Sequence, residues 1–285
     1  MASKVRKVSL QRGAAWCVSS LTLPWRSRAG VTPLALIYGL CMQASMSFLS
    51  PTADVMVAAG AAFGGLLIAT LLLVGMLYAA RESDAGRPSH LPALWRLARA
   101  ARVGPLGATL LSQLAVAIAA LAIVYVVVGP ESLQRLATFY ATLQTSVAQG
   151  APLDPDTLLA LPLSSLLLAG LLLLALAGLS ILFGLTLIPD LLFGGAGLWR
   201  AMGNSAVACL RNAPAVLLML ATAFCVYLAA VVSVGILQEI ARLLIGDAAY
   251  VLGQILLQAF GAVLFCGGTY FAWQDMLSEP DATTP

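Results

Sequence analysis

Leu163-Ser-Ser-Leu-Leu-Leu-Ala-Gly-Leu-Leu-Leu-Leu-Ala-Leu-Ala-Gly-Leu-Ser-Ile-Leu-Phe-Gly184 runs twenty-two residues without a charge. A helix needs about 20 apolar residues to cross a bilayer core. Inside lipid every backbone amide must be paired, so only helices and closed barrels span. The run is continuously apolar and does not alternate, so a helix is expected. Five further stretches read the same way. With this one, widened to 158–188, the expected spans are 31–50, 54–80, 104–128, 158–188, 213–237 and 249–271. The fourth is over-long and is expected to tilt or to start early at Pro162. Of the 285 residues, 61% are hydrophobic and 9% are charged. Soluble domains carry roughly 25% charge. The mean hydropathy of +0.96 agrees. The expected fold is therefore all-α: a polytopic membrane protein with six transmembrane helices in three hairpins.

Charge fixes the expected orientation. Thirteen of the 15 Lys and Arg residues lie before the first span or between spans two and three or four and five. Only Arg135 and Arg242 lie on the other side. Loops rich in Lys and Arg stay cytoplasmic, so both termini are expected there. All five tryptophans, Trp16, Trp25, Trp95, Trp199 and Trp273, fall at predicted cytoplasmic ends. Trp favours the membrane interface, so anchoring is the expected role. No cleavable signal peptide is read, because the first apolar run starts at residue 31 and is long enough to span. The expected organisation is a basic segment 1–30, a transmembrane domain 31–276 and a short tail 277–285.

Each hairpin begins alike. A Trp-containing amphipathic stretch leads to an Arg, and then to a Pro that opens the span. The copies are Trp16 to Arg28 with Pro33, Trp95 to Arg102 with Pro105, and Trp199 to Arg211 with Pro214. Pro suits a first helical turn, Arg suits the headgroups, and the stretch between can lie flat at the interface. Three cytoplasmic-side interfacial helices in a pseudo-threefold bundle are expected.

Before span five stand Ile188-Pro-Asp-Leu-Leu-Phe193 and Leu198-Trp-Arg-Ala-Met-Gly-Asn-Ser-Ala-Val-Ala-Cys-Leu-Arg-Asn212. This text resembles uncharacterised bacterial six-span inner-membrane proteins, the YciC-like and related domain-of-unknown-function families. Pro189, Ala201, Ser205, Arg211 and Asn212 carry the likeness. The resemblance implies a six-span layout over nearly the whole chain and residence in a bacterial inner membrane. It implies no catalytic residue.

Outside the spans, residues 50–53 read as a tight turn. Leu133, Leu136, Tyr140, Leu143 and Val147 form a helical stripe, opened by Pro130-Glu131 and ended by Gly150. Asp154-Pro155-Asp156 reads as a helix cap. No ionisable residue is expected deep in a span; Asp54 and Asp190 lie at ends. His90, the single His, reads as a solvated loop residue. The five cysteines lack metal spacing and read as small packers. No metal and no cofactor are expected. Gln254 and Gln258 sit one turn apart in span six, with Gln113 opposite as the third binding candidate. Gly60 and Gly64 form a GxxxG face, expected to pack inside the bundle. Cytoplasmic interface candidates are Arg28, Arg102, Trp199, Arg200, Ser205, Arg211 and Asn212.

The expected function is non-enzymatic: binding of membrane lipid, a protein partner or a second copy, with no nucleic acid. A small permease, or a handler of lipid or hydrophobic solute, is the alternative.

Overall fold

In the computed structural model the described residues are 5–47, 55–87, 103–149 and 162–278; they are helical and contain no strand. The chain divides into two compact units, one made of Met1–Leu111 with Leu182–Pro285, the other of Ser112–Ile181. The helices are α1 Leu10–Arg26, α2 Val31–Ser47, α3 Val55–Asp84, α4 Val103–Ile123 and α5 Pro130–Gln149. They continue as α6 Leu163–Gly184, α7 Leu187–Phe193, α8 Leu198–Arg211, α9 Ala213–Ile245 and α10 Ala248–Met276. The protein is an all-α polytopic membrane protein. Among the described residues five helical stretches are long and apolar enough to cross a bilayer, or six if the bent pair α1–α2 counts as one span.

Prolines set the breaks. A proline ring displaces the carbonyl four residues earlier and lacks an amide hydrogen. Pro33 stands in the first turn of α2, and the elbow before it bends the chain by 101°. Pro189 stands in α7, and the helix breaks at Leu185–Thr186, just where its ring requires. The fourth apolar stretch reads as one over-long candidate span, Leu163–Phe193 of 31 residues, with this turn near its end. Pro214 opens α9 directly after α8. The described part of the first expected span, α2, has 17 residues, about 26 Å at 1.5 Å per residue. Helices α3, α9 and α10 run past their expected ends, to Asp84, Ile245 and Met276.

In the first unit α10 is the central helix. It packs against α1, α2, α3, α9 and α7. Small residues allow the approach. A side chain at Gly39 would strike the Ile255 carbonyl of α10. One at Gly13 would strike the Ala215 carbonyl of α9, and one at Gly267 would strike Ser20 of α1. The expected glycine face packs only in part: side chains at Gly60 and Gly64 would meet nothing within 4 Å, whereas one at the following Gly65 would strike Ser45 of α2.

The second unit holds the rest of α4, a π-helical turn Val124–Val128, α5 and most of α6. Leu167, Leu171 and Leu174 of α6 are exposed, as lipid-facing side chains are. The expected stripe helix is present as α5, with Pro130 and Glu131 in its first turn. Gly129 before it has φ +78°, a left-handed conformation that favours glycine.

The Trp-bearing helices do not occupy equivalent places. α1 lies on α9 and α10, whereas α8 lies mainly on α7. The repeated text is therefore not matched by repeated packing in these two copies. The turn at 50–53, Asp54, His90, the stretch from Trp95 to Arg102, Gly150 and the Asp154–Asp156 cap lie outside the described residues.

Candidate functional site

Many polar residues of the first unit gather at the C-terminal ends of α3 and α10, beside the start of α1 and beside α7. Pro189 breaks the chain, and the short α7 turns Asp190 inward, where it is 4% exposed. Asn204 of α8 donates to its carboxylate at 2.9 Å and the Trp273 indole at 3.5 Å. A side chain at Gly194 would collide with that carboxylate. Asp190 lies near the end of the candidate span Leu163–Phe193, as expected, and is buried there against Asn204 of α8. Ser205 is buried, and its hydroxyl accepts the Thr186 amide at 3.2 Å. That bond satisfies a backbone donor freed by the break. Leu187, Leu191 and Ala201 complete the α7–α8 contact.

Beside it lies an aromatic cluster. Phe193 meets Tyr78 edge-on at 5.2 Å and Trp273 at 5.6 Å between ring centroids. The Arg81 guanidinium sits 4.7 Å over the Phe193 ring. Asp84 accepts from Gln274 at 2.6 Å and from the Tyr270 hydroxyl at 3.3 Å.

The N-terminal segment is clamped across this end. Asn212 accepts from the Val8 amide at 2.8 Å and donates to the Arg6 carbonyl at 2.9 Å. Arg211 donates to the Val5 carbonyl at 2.9 Å. Arg6 donates to the carbonyls of Gln274 at 2.6 Å and Ser278 at 2.5 Å, closing the C-terminal end of α10. Asp275 receives Arg12 through two bonds of 2.5 and 2.7 Å, and the Trp16 indole at 2.6 Å.

The candidate residues therefore separate. Ser205 and Asn212 are buried and internally bonded, and Arg211 is exposed but holds the N-terminal segment. Arg28, Trp199 and Arg200 remain on the surface. Two described tryptophans depart from the anchoring expectation: Trp16 is 2% exposed, and Trp273 is also buried. Their indole N–H groups meet carboxylates, which a sequence window does not reveal.

Gln258 donates to Gln43 of α2 at 3.3 Å. Gln113 belongs to the second unit. The sequence missed Gln43, the partner that tertiary packing supplies; a polar residue amid the apolar text of α2 was the available signal. The Gln258 side-chain oxygen is buried and has no hydrogen-bond partner among the described residues.

Cys209 lies on the inner face of α8, where burial raises its thiol from 9.0 to about 11. The neutral form is thus favoured: its contribution to stability is full below pH 9.0 and is lost as pH rises toward about 11. Maleimide labelling of Cys209 in native membranes, read by mass spectrometry at pH 7 to 9, is expected to be slow and to rise sharply on denaturation. Rapid native labelling would contradict the inward placement of this α8 face.

No family model matches this chain, and no curated protein or solved structure matches it.

Proposed function

We propose that this chain is a non-enzymatic bacterial inner-membrane protein that acts by binding protein or lipid. Its role would be that of a scaffold, an assembly factor or a membrane-homeostasis factor, with both termini cytoplasmic. The observation that carries the proposal is the double use of α1 and α8. Each has an inner face held on the bundle and an outer face carrying exposed apolar side chains beside basic ones. On α1 these are Leu10, Val18 and Trp25; on α8 they are Trp199, Val207 and Leu210. Such a surface suits binding rather than bond-breaking chemistry. The bias of Lys and Arg supports the orientation. The likeness of the Pro189-to-Asn212 text to six-span inner-membrane families supports the location.

Native mass spectrometry of protein extracted gently from its own membrane tests this. Stoichiometric protein or lipid is expected to remain bound and to be lost on Trp199→Ala. Retention of neither would overturn the proposal. The buried Gln258 oxygen, without a hydrogen-bond partner among the described residues, favours the permease as second reading. A small solute retained by the native protein and lost in Gln258→Leu would replace the binding reading with transport.

A further inference from the structure

The chain contains three Trp-Arg dipeptides: Trp25-Arg26, Trp95-Arg96 and Trp199-Arg200. The second lies outside the described residues. The other two stand on different helices, yet share one environment. Trp25 is 72% exposed and Trp199 is 82% exposed, and the arginine after each is exposed as well. By contrast Trp16 and Trp273 are buried against carboxylates. The repeated element of this protein is therefore the Trp-Arg pair rather than Trp16.

The described cations of the first unit divide by what they meet. Arg12 pairs with Asp275 and Arg87 with Glu82. Arg6 meets carbonyls, and Arg81 covers Phe193. Among the described residues no carboxylate ion-pairs with Arg26, Arg28 or Arg200. Arg28 lies 5.5 Å over the Trp25 ring, so a second guanidinium is held beside the first pair. α1 turns 101° away from α2. The outer stripe of α1 ends at Trp25. Exposed indoles favour the headgroup level, and unneutralised guanidinium groups there face phosphates.

We propose that the Trp-Arg pairs at 25–26 and 199–200 are binding sites for anionic phospholipid, the arginine on the phosphate and the indole between headgroup and chain. The assignment rests on the binding reading above and names its ligand. The test uses the full chain in phosphatidylcholine nanodiscs doped with phosphatidylglycerol, with retained lipid counted by native mass spectrometry. Losing one arginine is expected to weaken retention about fivefold, and Arg26→Gln with Arg200→Gln about 25-fold. Arg87→Gln removes the same charge from an ion pair and is expected to change retention less than twofold. Brominated lipid is expected to quench the intrinsic fluorescence, and Trp25→Phe with Trp199→Phe to remove most of that quenching. Equal lipid loss in the Arg87 variant, unchanged quenching, or displacement of the lipid by inorganic phosphate would overturn the assignment. A protein partner retained in native extracts without lipid enrichment would leave the binding reading standing and remove only the lipid.

Discussion

Gly39→Ala is expected to destabilise the protein by about 2 kcal/mol, while Gly64→Ala stabilises it by about 0.5 kcal/mol. The substitution is the same, both sites lie in apolar helices, and both gain helix propensity. They differ in what the new methyl group meets. At Gly39 it strikes the backbone carbonyl of Ile255, with the Ala259 amide 3.2 Å away. A backbone atom in a packed helix has no rotamer by which to yield, so α2 and α10 must separate. At Gly64 nothing lies within 4 Å. Thermal unfolding of the detergent-solubilised protein is the measurement. Shifts of the same sign would show that α2 and α10 do not approach as described.

The second large effect lies at Asp275. Trp16→Phe is expected to cost about 2 kcal/mol, and Arg12→Gln less than about 1 kcal/mol, although both remove a bond to the same carboxylate. The Arg12 side chain is 54% exposed, so water replaces much of what is lost. Trp16 is 2% exposed, and its indole bond to the carboxylate is charge-assisted. The phenyl ring of the variant also underfills the space between α1 and α10. Protease sensitivity of the N-terminal segment, followed beside thermal unfolding, separates the two variants. An Arg12 variant as unstable as the Trp16 variant would mean that the ion pair, rather than the buried indole, holds α1.

Both effects belong to one design. α1 is not a helix adrift on the membrane surface. Its inner face is fixed by Trp16, Ser20 and Leu23, all buried. The N-terminal segment is clamped by Asn212 and capped onto α10 by Arg6. What this leaves outward is the edge on which Trp25, Arg26 and Arg28 stand. A rigid inner attachment is what lets an exposed pair meet a ligand without first ordering a loop.

By itself the sequence determined the class, most of the spans and where α2 and α9 open. Those depend on local quantities: the transfer free energy of a 20-residue window, and the clash of a proline with the carbonyl four residues back. Pro33 and Pro214 stand in the first turns of α2 and α9 as expected, and α5 follows the stripe from Leu133. The tertiary structure alone decided which residues meet. Gln258 with Gln43, Asp190 beneath Asn204 and Trp16 against Asp275 each depend on how a helix is rotated about its axis. In water an apolar stripe marks the face that turns inward. In lipid the outer face is as apolar as the inner one, so that mark is absent. The helices α2, α3, α6, α9 and α10 are apolar all round, and their faces were chosen by close approach at glycine and by scarce hydrogen bonds, which depend on the partner helix and not on the window.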